Sequence, residues 1–161
     1  MMLSKVFYRL KEFPYPRICI LFMITFLGIG LLTEHVHLLI NTSFSFKEHY
    51  FLHLPKVNPV KGDITTYEHT SGKRLIKKII GVEGDVISYD ADGFLFVSGI
   101  KVGKPYSANS KGVLLHSIPS GVLPKDYVFL YATHDESLDS RYSEIGLVYR
   151  KHLIGKAIAI I

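Results

Sequence analysis

Three short clusters carry side chains able to do covalent or acid–base chemistry. The first is Asn41-Thr42-Ser43-Phe44-Ser45-Phe46, with two hydroxyls two residues apart. A serine hydroxyl is a weak nucleophile until a base takes its proton, so this cluster needs a base from elsewhere in the chain; on its own, Ser-x-Ser also reads as turn or capping residues. The second is Arg74-Leu75-Ile76-Lys77-Lys78-Ile79-Ile80-Gly81-Val82-Glu83-Gly84-Asp85. In a strand, successive side chains alternate faces, which puts Lys77 with Leu75 and Ile79 and turns Lys78 the other way. An ammonium on an apolar face loses hydration, which lowers its pKa and can leave a neutral amine to act as a general base. On an exposed edge strand the same lysines would only deter pairing. The third cluster, His134-Asp135-Glu136-Ser137-Leu138-Asp139-Ser140-Arg141-Tyr142, adds another hydroxyl; read alone, it is a polar loop with a local Asp139–Arg141 ion pair.

Other chemistries find little support. The one cysteine, Cys19, excludes an internal disulfide, and no Cys/His set has zinc-ligand spacing. His49 and His53 are four apart, but no Glu follows His49, so neither a metal nor a cofactor is expected. Gly62-Asp63 and Gly84-Asp85 read as turns, because no helix pattern follows either pair as a phosphate-binding loop requires.

The elements that must position these clusters differ sharply before and after residue 40. From Ile18 to Thr33 there is no charge, and the apolar character resumes through Val36, Leu38, Leu39 and Ile40. This predicts a transmembrane anchor over residues 17–38, close to the roughly 20 residues that cross a bilayer. Formal charge is +5, from 19 basic and 14 acidic residues. Lys5, Arg9, Lys11 and Arg17 against Glu12 make the start of the chain net 4 − 1 = +3, the pattern that keeps an N-terminus cytosolic. Residues 1–16 therefore read as a cytosolic basic tail and residues 39–161 as the exported domain. Thr33-Glu34-His35-Val36-His37 lacks a small-x-small cleavage site, so the anchor reads as uncleaved. The remaining charge forms no basic stripe with interleaved aromatics, which argues against nucleic-acid binding.

Past Asn41 short runs rich in β-branched and aromatic residues alternate with Gly, Pro and Asp: 86–89, 93–97, 127–131 and 157–161. They predict a mainly β, antiparallel, partly barrel-like domain of roughly 120 residues, with residues 104–120 as a loop excursion. At 161 residues and 48% apolar content, the chain is neither a multidomain machine nor disordered.

Taken together and in this order, the apolar anchor, Ser-x-Ser, Lys-Lys-Ile-Ile-Gly-Val-x-Gly-Asp, Ser-Leu-Asp-Ser-Arg-Tyr and the terminal Gly-Lys-Ala resemble the type I signal peptidases, which use a serine–lysine dyad. Within that family the short length and the Asn-Thr-x-x-Ser lead-in are most similar to the TraF-type peptidases of conjugative transfer, which mature pilin precursors. The resemblance implies Ser45 as nucleophile and Lys77 as general base. It implies Ser43, with the backbone N–H of Ser45, as the oxyanion hole, Ser137 as the residue that orients the lysine amine, and Asp139 and Arg141 as structural support. It further implies a single-pass protein of the bacterial inner membrane with a periplasmic catalytic domain. Its partners would be the lipid bilayer, a precursor substrate such as a pilin or signal-peptide-bearing protein, and proteins of a transfer apparatus. The chain departs from the transfer peptidases at Phe46-Lys47-Glu48-His49-Tyr50, where they carry a Pro and a Gly, and at Tyr131-Ala132, where Gly-Asp is common. The competing reading is a non-catalytic, membrane-anchored β module of a secretion or pilus complex. The two diverge on one distance, since a dyad requires Ser45 Oγ and Lys77 Nζ within about 2.6–3.2 Å.

Overall fold

A computed structural model of the chain describes residues 15–33, 35–43 and 45–160. The basic tail expected over 1–16 lies outside the described residues except for Tyr15 and Pro16. Residues Met1–Val36 and His37–Ile161 form two separate compact units.

In the first unit, helix α1 (Tyr15–Thr33) is built from Ile, Leu, Phe and Met, with Pro16 in the first turn, where its missing N–H has no intrahelical partner to lose. The Thr25 hydroxyl donates to the Leu21 carbonyl (2.7 Å), which internalises a polar group of the helix. Its large side chains are exposed, Phe22 at 73% and Phe26 at 78%. The expected transmembrane anchor over 17–38 needs correction. Among the described residues no helix is long and apolar enough to cross a membrane. Nineteen residues of helix rise roughly 28 Å against a hydrocarbon core of about 30 Å, and the first turn contains the charged Arg17. Residues 37 and 38 leave the helix altogether: their backbone groups pair with a neighbouring strand instead.

The second unit is two antiparallel sheets. Strands β1 (His37–Ile40), β2 (Tyr50–Leu54), β3 (Ile64–Glu68), β4 (Arg74–Gly81), β9 (Tyr127–Tyr131), β10 (Val148–Tyr149) and β11 (Leu153–Ala159) make a seven-stranded sheet in the order β1-β2-β11-β3-β4-β9-β10. Strands β5 (Val86–Tyr89), β6 (Leu95–Val97), β7 (Ile100–Gly103) and β8 (Gly121–Val122) make a smaller one, ordered β7-β6-β5-β8. The partly barrel-like expectation is corrected in one respect: edge strands β1 and β10 do not pair with each other, so there is no closed barrel. β10 is only two residues long before the chain turns through Arg150–His152, too short to present a ladder for closure.

The side chains that alternate inward supply the core. Ile87, Leu95, Val97, Leu123 and Phe129 form one cluster, and Tyr67, Ile79, Val128, Leu130 and Val148 another along β3, β4, β9 and β10. Fully burying each Val, Leu, Ile or Phe among them contributes about 1.5–3 kcal/mol. Gly81, at the bulged end of β4, lets these layers meet: a Cβ there would sit 2.9 Å from both Phe129 Cβ and Val97 Cγ1. Gly155, at φ 145° in the bulge of β11, is required for a different reason, since a side chain would collide with the Leu54 carbonyl. Residues 104–120 contain no named strand but are tied down by bridges Ala108↔Leu114 and Ser117↔Tyr142.

Candidate active site

Lys77 lies in the middle of β4, directly opposite Thr65 of β3. The alternation of the strand puts it on the same face as Ile79, and it is 3% exposed. Loss of hydration in this setting lowers its pKa to about 8; Asp139 pulls it back up and Arg141 presses it further down.

The loop joining β1 to β2 carries Ser43 and Ser45. Buried Asn41 organises it: its backbone N–H donates to the His49 carbonyl (2.7 Å), and its Nδ2 donates to the carbonyls of Glu48 (3.2 Å) and Phe46 (3.4 Å). Its Oδ1 accepts from Ser43 N–H (3.1 Å) and the Ser43 hydroxyl (2.8 Å). Phe46 is buried edge-on against Phe51, ring centroids 5.8 Å apart, so an aromatic plug anchors the loop just past Ser45. Two residues past the end of β9, Thr133 donates both its N–H and its hydroxyl to the Ser45 carbonyl, each at 3.1 Å.

These constraints aim Ser45 at Lys77. Lys77 Nζ is 3.1 Å from Ser45 Oγ and 2.8 Å from Ser137 Oγ, and the two hydroxyl oxygens are 2.9 Å apart. The three groups form a closed triangle, with Ser45 and Lys77 both buried. Ser43 is placed beside them: its Oγ accepts a long hydrogen bond from the Ser45 N–H (3.4 Å) while its own proton goes to Asn41.

Asp139 and Arg141 are 0% and 1% exposed. The carboxylate accepts from Arg141 Nε (2.9 Å), Arg141 Nη2 (3.0 Å), the Arg141 N–H (3.0 Å) and the Ala132 N–H (3.0 Å). Arg141 Nη2 then donates to the carbonyls of His134 and Ser137, both at 3.1 Å, which clamps the loop that presents the Ser137 hydroxyl. Buried charges are tolerated only when paired and hydrogen-bonded in this way. All six residues singled out from the sequence thus come together around one point. Two others were not: Asn41, although Asn two residues before a Ser is a recognisable Asx turn, and Thr133, for which no local pattern exists because its partner is 88 residues away. Among the described residues no three His, Cys, Asp or Glu side chains converge as metal ligands.

The triangle opens into a cavity of about 460 Å³ whose walls include Leu75, Leu138 and Ile145. The profile of the family described as "Signal peptidase, peptidase S26" matches residues 15–161. The chain belongs to the signal peptidase family. It is 27% identical to a signal peptidase I of Pseudomonas fluorescens, over 64% of this chain and 49% of that protein, so it spans about half the length of that curated relative. A crystal structure of a signal peptidase I from Enterococcus faecalis aligns with a TM-score of 0.41 and 23% identity, over 61% of this chain and 95% of the other. The family match extends over Ser45, Lys77 and the Asp139–Arg141 pair alike, so the whole triangle lies in the signal-peptidase portion of the chain.

Proposed function

We propose that the protein is a membrane-associated serine endopeptidase that cleaves exported precursors, with Ser45 as nucleophile and Lys77 as base. The observation that carries this reading is the 3.1 Å contact between Ser45 Oγ and a buried lysine amine. With its pKa near 8, a useful fraction of that amine is neutral around pH 7–8 and can accept the Ser45 proton as the hydroxyl attacks the scissile carbonyl. The resulting lysine ammonium can return the proton to the leaving amine, and a second round with water releases the acyl group. Ser137, 2.8 Å from Nζ, keeps the amine directed at Ser45. The oxyanion would be received by the Ser45 N–H and the Ser43 hydroxyl once that hydroxyl turns from Asn41; removing one such donor typically costs about 2.7–4 kcal/mol of transition-state stabilisation.

Membrane association is supported by the apolar helix α1 and by one face of the large sheet. Leu38, Leu52 and Ile158 are in register across β1, β2 and β11, as are Ile40 and Tyr50, and Ile160 N–H donates to the Tyr50 carbonyl. Leu38 and Ile40 are 61% and 64% exposed, an apolar area that lipid would cover. The basic residues ahead of the helix add attraction to the anionic lipid surface of a bacterial inner membrane. The finer substrate reading, a conjugative pilin precursor presented by transfer-apparatus proteins, draws on the Asn-Thr-x-x-Ser lead-in to Ser45. Expression of Ser45→Ala and Lys77→Ala in the full chain tests the chemistry: each should fold, associate with membranes and leave the precursor unprocessed. Processing retained by both variants refutes it, and mass spectrometry of the mature product identifies the precursor and the bond cut.

A further inference from the structure

The β3–β4 hairpin presents two lysines to the same cavity, Lys77 from β4 and Lys73 from the turn just before it. Lys77 is at the catalytic end, Leu75 follows on the same face, and Lys73, at the base of the β3–β4 turn, continues the alternation; all three line the cleft. The turn that holds Lys73 is well defined. The His69 N–H donates to the Lys73 carbonyl (2.9 Å), Gly72 N–H donates to the His69 carbonyl (2.8 Å), and Gly72 adopts φ 75°. His69 lines the cleft beside Lys73, its ring held by the Ser71 hydroxyl at 2.9 Å.

The two amines live in opposite environments. Lys77 is buried and shares its hydrogen bonds with two hydroxyls, whereas Lys73 is exposed and forms no ion pair among the described residues. Glu68 and Arg74 are paired with each other in register and point to the other face of the hairpin, so neither neutralises it from the cleft side. Among the described residues the one carboxylate that lines the cleft is Glu136, which belongs with His134 to the loop that carries Ser137. The cleft therefore carries one carboxylate, on the loop of Ser137, and one exposed ammonium, at the start of β4.

We infer that the cleft selects a peptide bearing an acidic side chain about four residues from the scissile bond, read by Lys73, because the four extended steps from Lys77 back to Lys73 and four residues of an extended peptide both span roughly 13 Å. This deepens the proposed function by naming a charge that the substrate carries, and it rests on the cleft being the substrate channel. An acid at that position would meet the Lys73 ammonium, with the His69 ring beside it on the same wall. An interaction of this kind strengthens ground-state and transition-state binding alike, so it appears in KM and in Kd and leaves kcat unaltered.

The test separates recognition from catalysis. Fluorescently labelled peptides built on one neutral sequence, with Asp walked through each position on both sides of the scissile bond, are titrated into the full-length Ser45→Ala protein in detergent. At one position about four residues away, Asp should tighten binding about 3- to 10-fold over the neutral peptide, and the gain should shrink as salt rises. Lys73→Gln should abolish the gain, and Lys73→Glu should reverse it in favour of a Lys-bearing peptide. No favoured position, or a gain that survives Lys73→Glu, overturns the inference. Cleavage of the same peptides by the protein with Ser45 intact reports on the enzyme reading separately: charge-dependent binding without cleavage would refute the peptidase and leave the recognition standing, whereas cleavage indifferent to Lys73 would do the opposite.

Discussion

Replacing Lys77 by Met should abolish cleavage while making the protein more stable at neutral and acidic pH. Methionine keeps an unbranched chain of similar volume in the same slot but carries no charge. In the folded protein the amine's pKa is about 8 against 10.5 for a solvated lysine. That gap corresponds to about 3 kcal/mol of destabilisation whenever both states are protonated. The direction follows from proton counting. Between the two pKa values the unfolded chain binds the proton and the folded one does not, so wild-type stability rises as pH climbs from about 8 towards 10.5; below 8 the full penalty is present. Met escapes it but forfeits the contacts to Ser45 Oγ and Ser137 Oγ at 3.1 and 2.8 Å. Those are worth about 1 kcal/mol together or somewhat more, since the two hydroxyls still bond each other. The net expectation at pH 6 is a variant more stable by about 1–2 kcal/mol, an advantage that falls by about 2–3 kcal/mol on going to pH 10. Urea unfolding of both proteins in the same detergent at a series of pH values reads this difference, and groups common to both cancel. A Met variant less stable than wild type at pH 6, or a difference that does not change with pH, would show that Lys77 is not held as a desolvated amine.

Three further outcomes follow from the same geometry. Because only the neutral amine can take the Ser45 proton, kcat/KM for precursor cleavage should rise about tenfold per pH unit on the acid side and level off near pH 8; a profile flat from pH 6 to 9 would contradict a lysine base. Asp139→Asn leaves the Arg141 guanidinium buried without its carboxylate and should cost about 3–5 kcal/mol in denaturant unfolding. Since Asp139 raises and Arg141 lowers the pKa of Lys77, any remaining activity of that variant should have its acid limb moved to lower pH. Tyr67, whose buried hydroxyl has no hydrogen-bond partner among the described residues, should tolerate Phe with a gain of about 1 kcal/mol in thermal or urea unfolding, and a clear loss of stability would reveal a partner for that hydroxyl.

Much of the β architecture could be read from local pattern, because strand propensity and turn chemistry are short-range. Val86–Tyr89 and Tyr127–Tyr131 are strands with the bounds expected, and Asp90 closes the turn before β6 through its Oδ1 to the N–H groups of Asp92 and Phe94. The alternation of Lys77 with Ile79 likewise follows from two residues of spacing. The segment His37–Ile40 could not be read, since His-Leu-Leu-Ile continues an apolar run and becomes a strand only because Tyr50–Leu54 offers it a ladder. The open large sheet depends in the same way on which strands find each other. Phe46 appeared only as a departure from a motif, and its role as an anchor against Phe51 is a packing fact.

By itself the sequence determined the residue types: a hydroxyl pair, a lysine on the apolar face of a strand, and an acid and a base two residues apart that could pair locally. Each of these is a property of neighbours within a few positions, where covalent spacing sets geometry. Only the tertiary structure decided that these groups meet. Ser45, Lys77 and Ser137 are separated by 32 and 60 residues along the chain, and their contacts depend on β3, β4 and β9 lying side by side. It also decided the chemistry of the lysine, because desolvation comes from everything packed around an amine and not from the residues on either side of it.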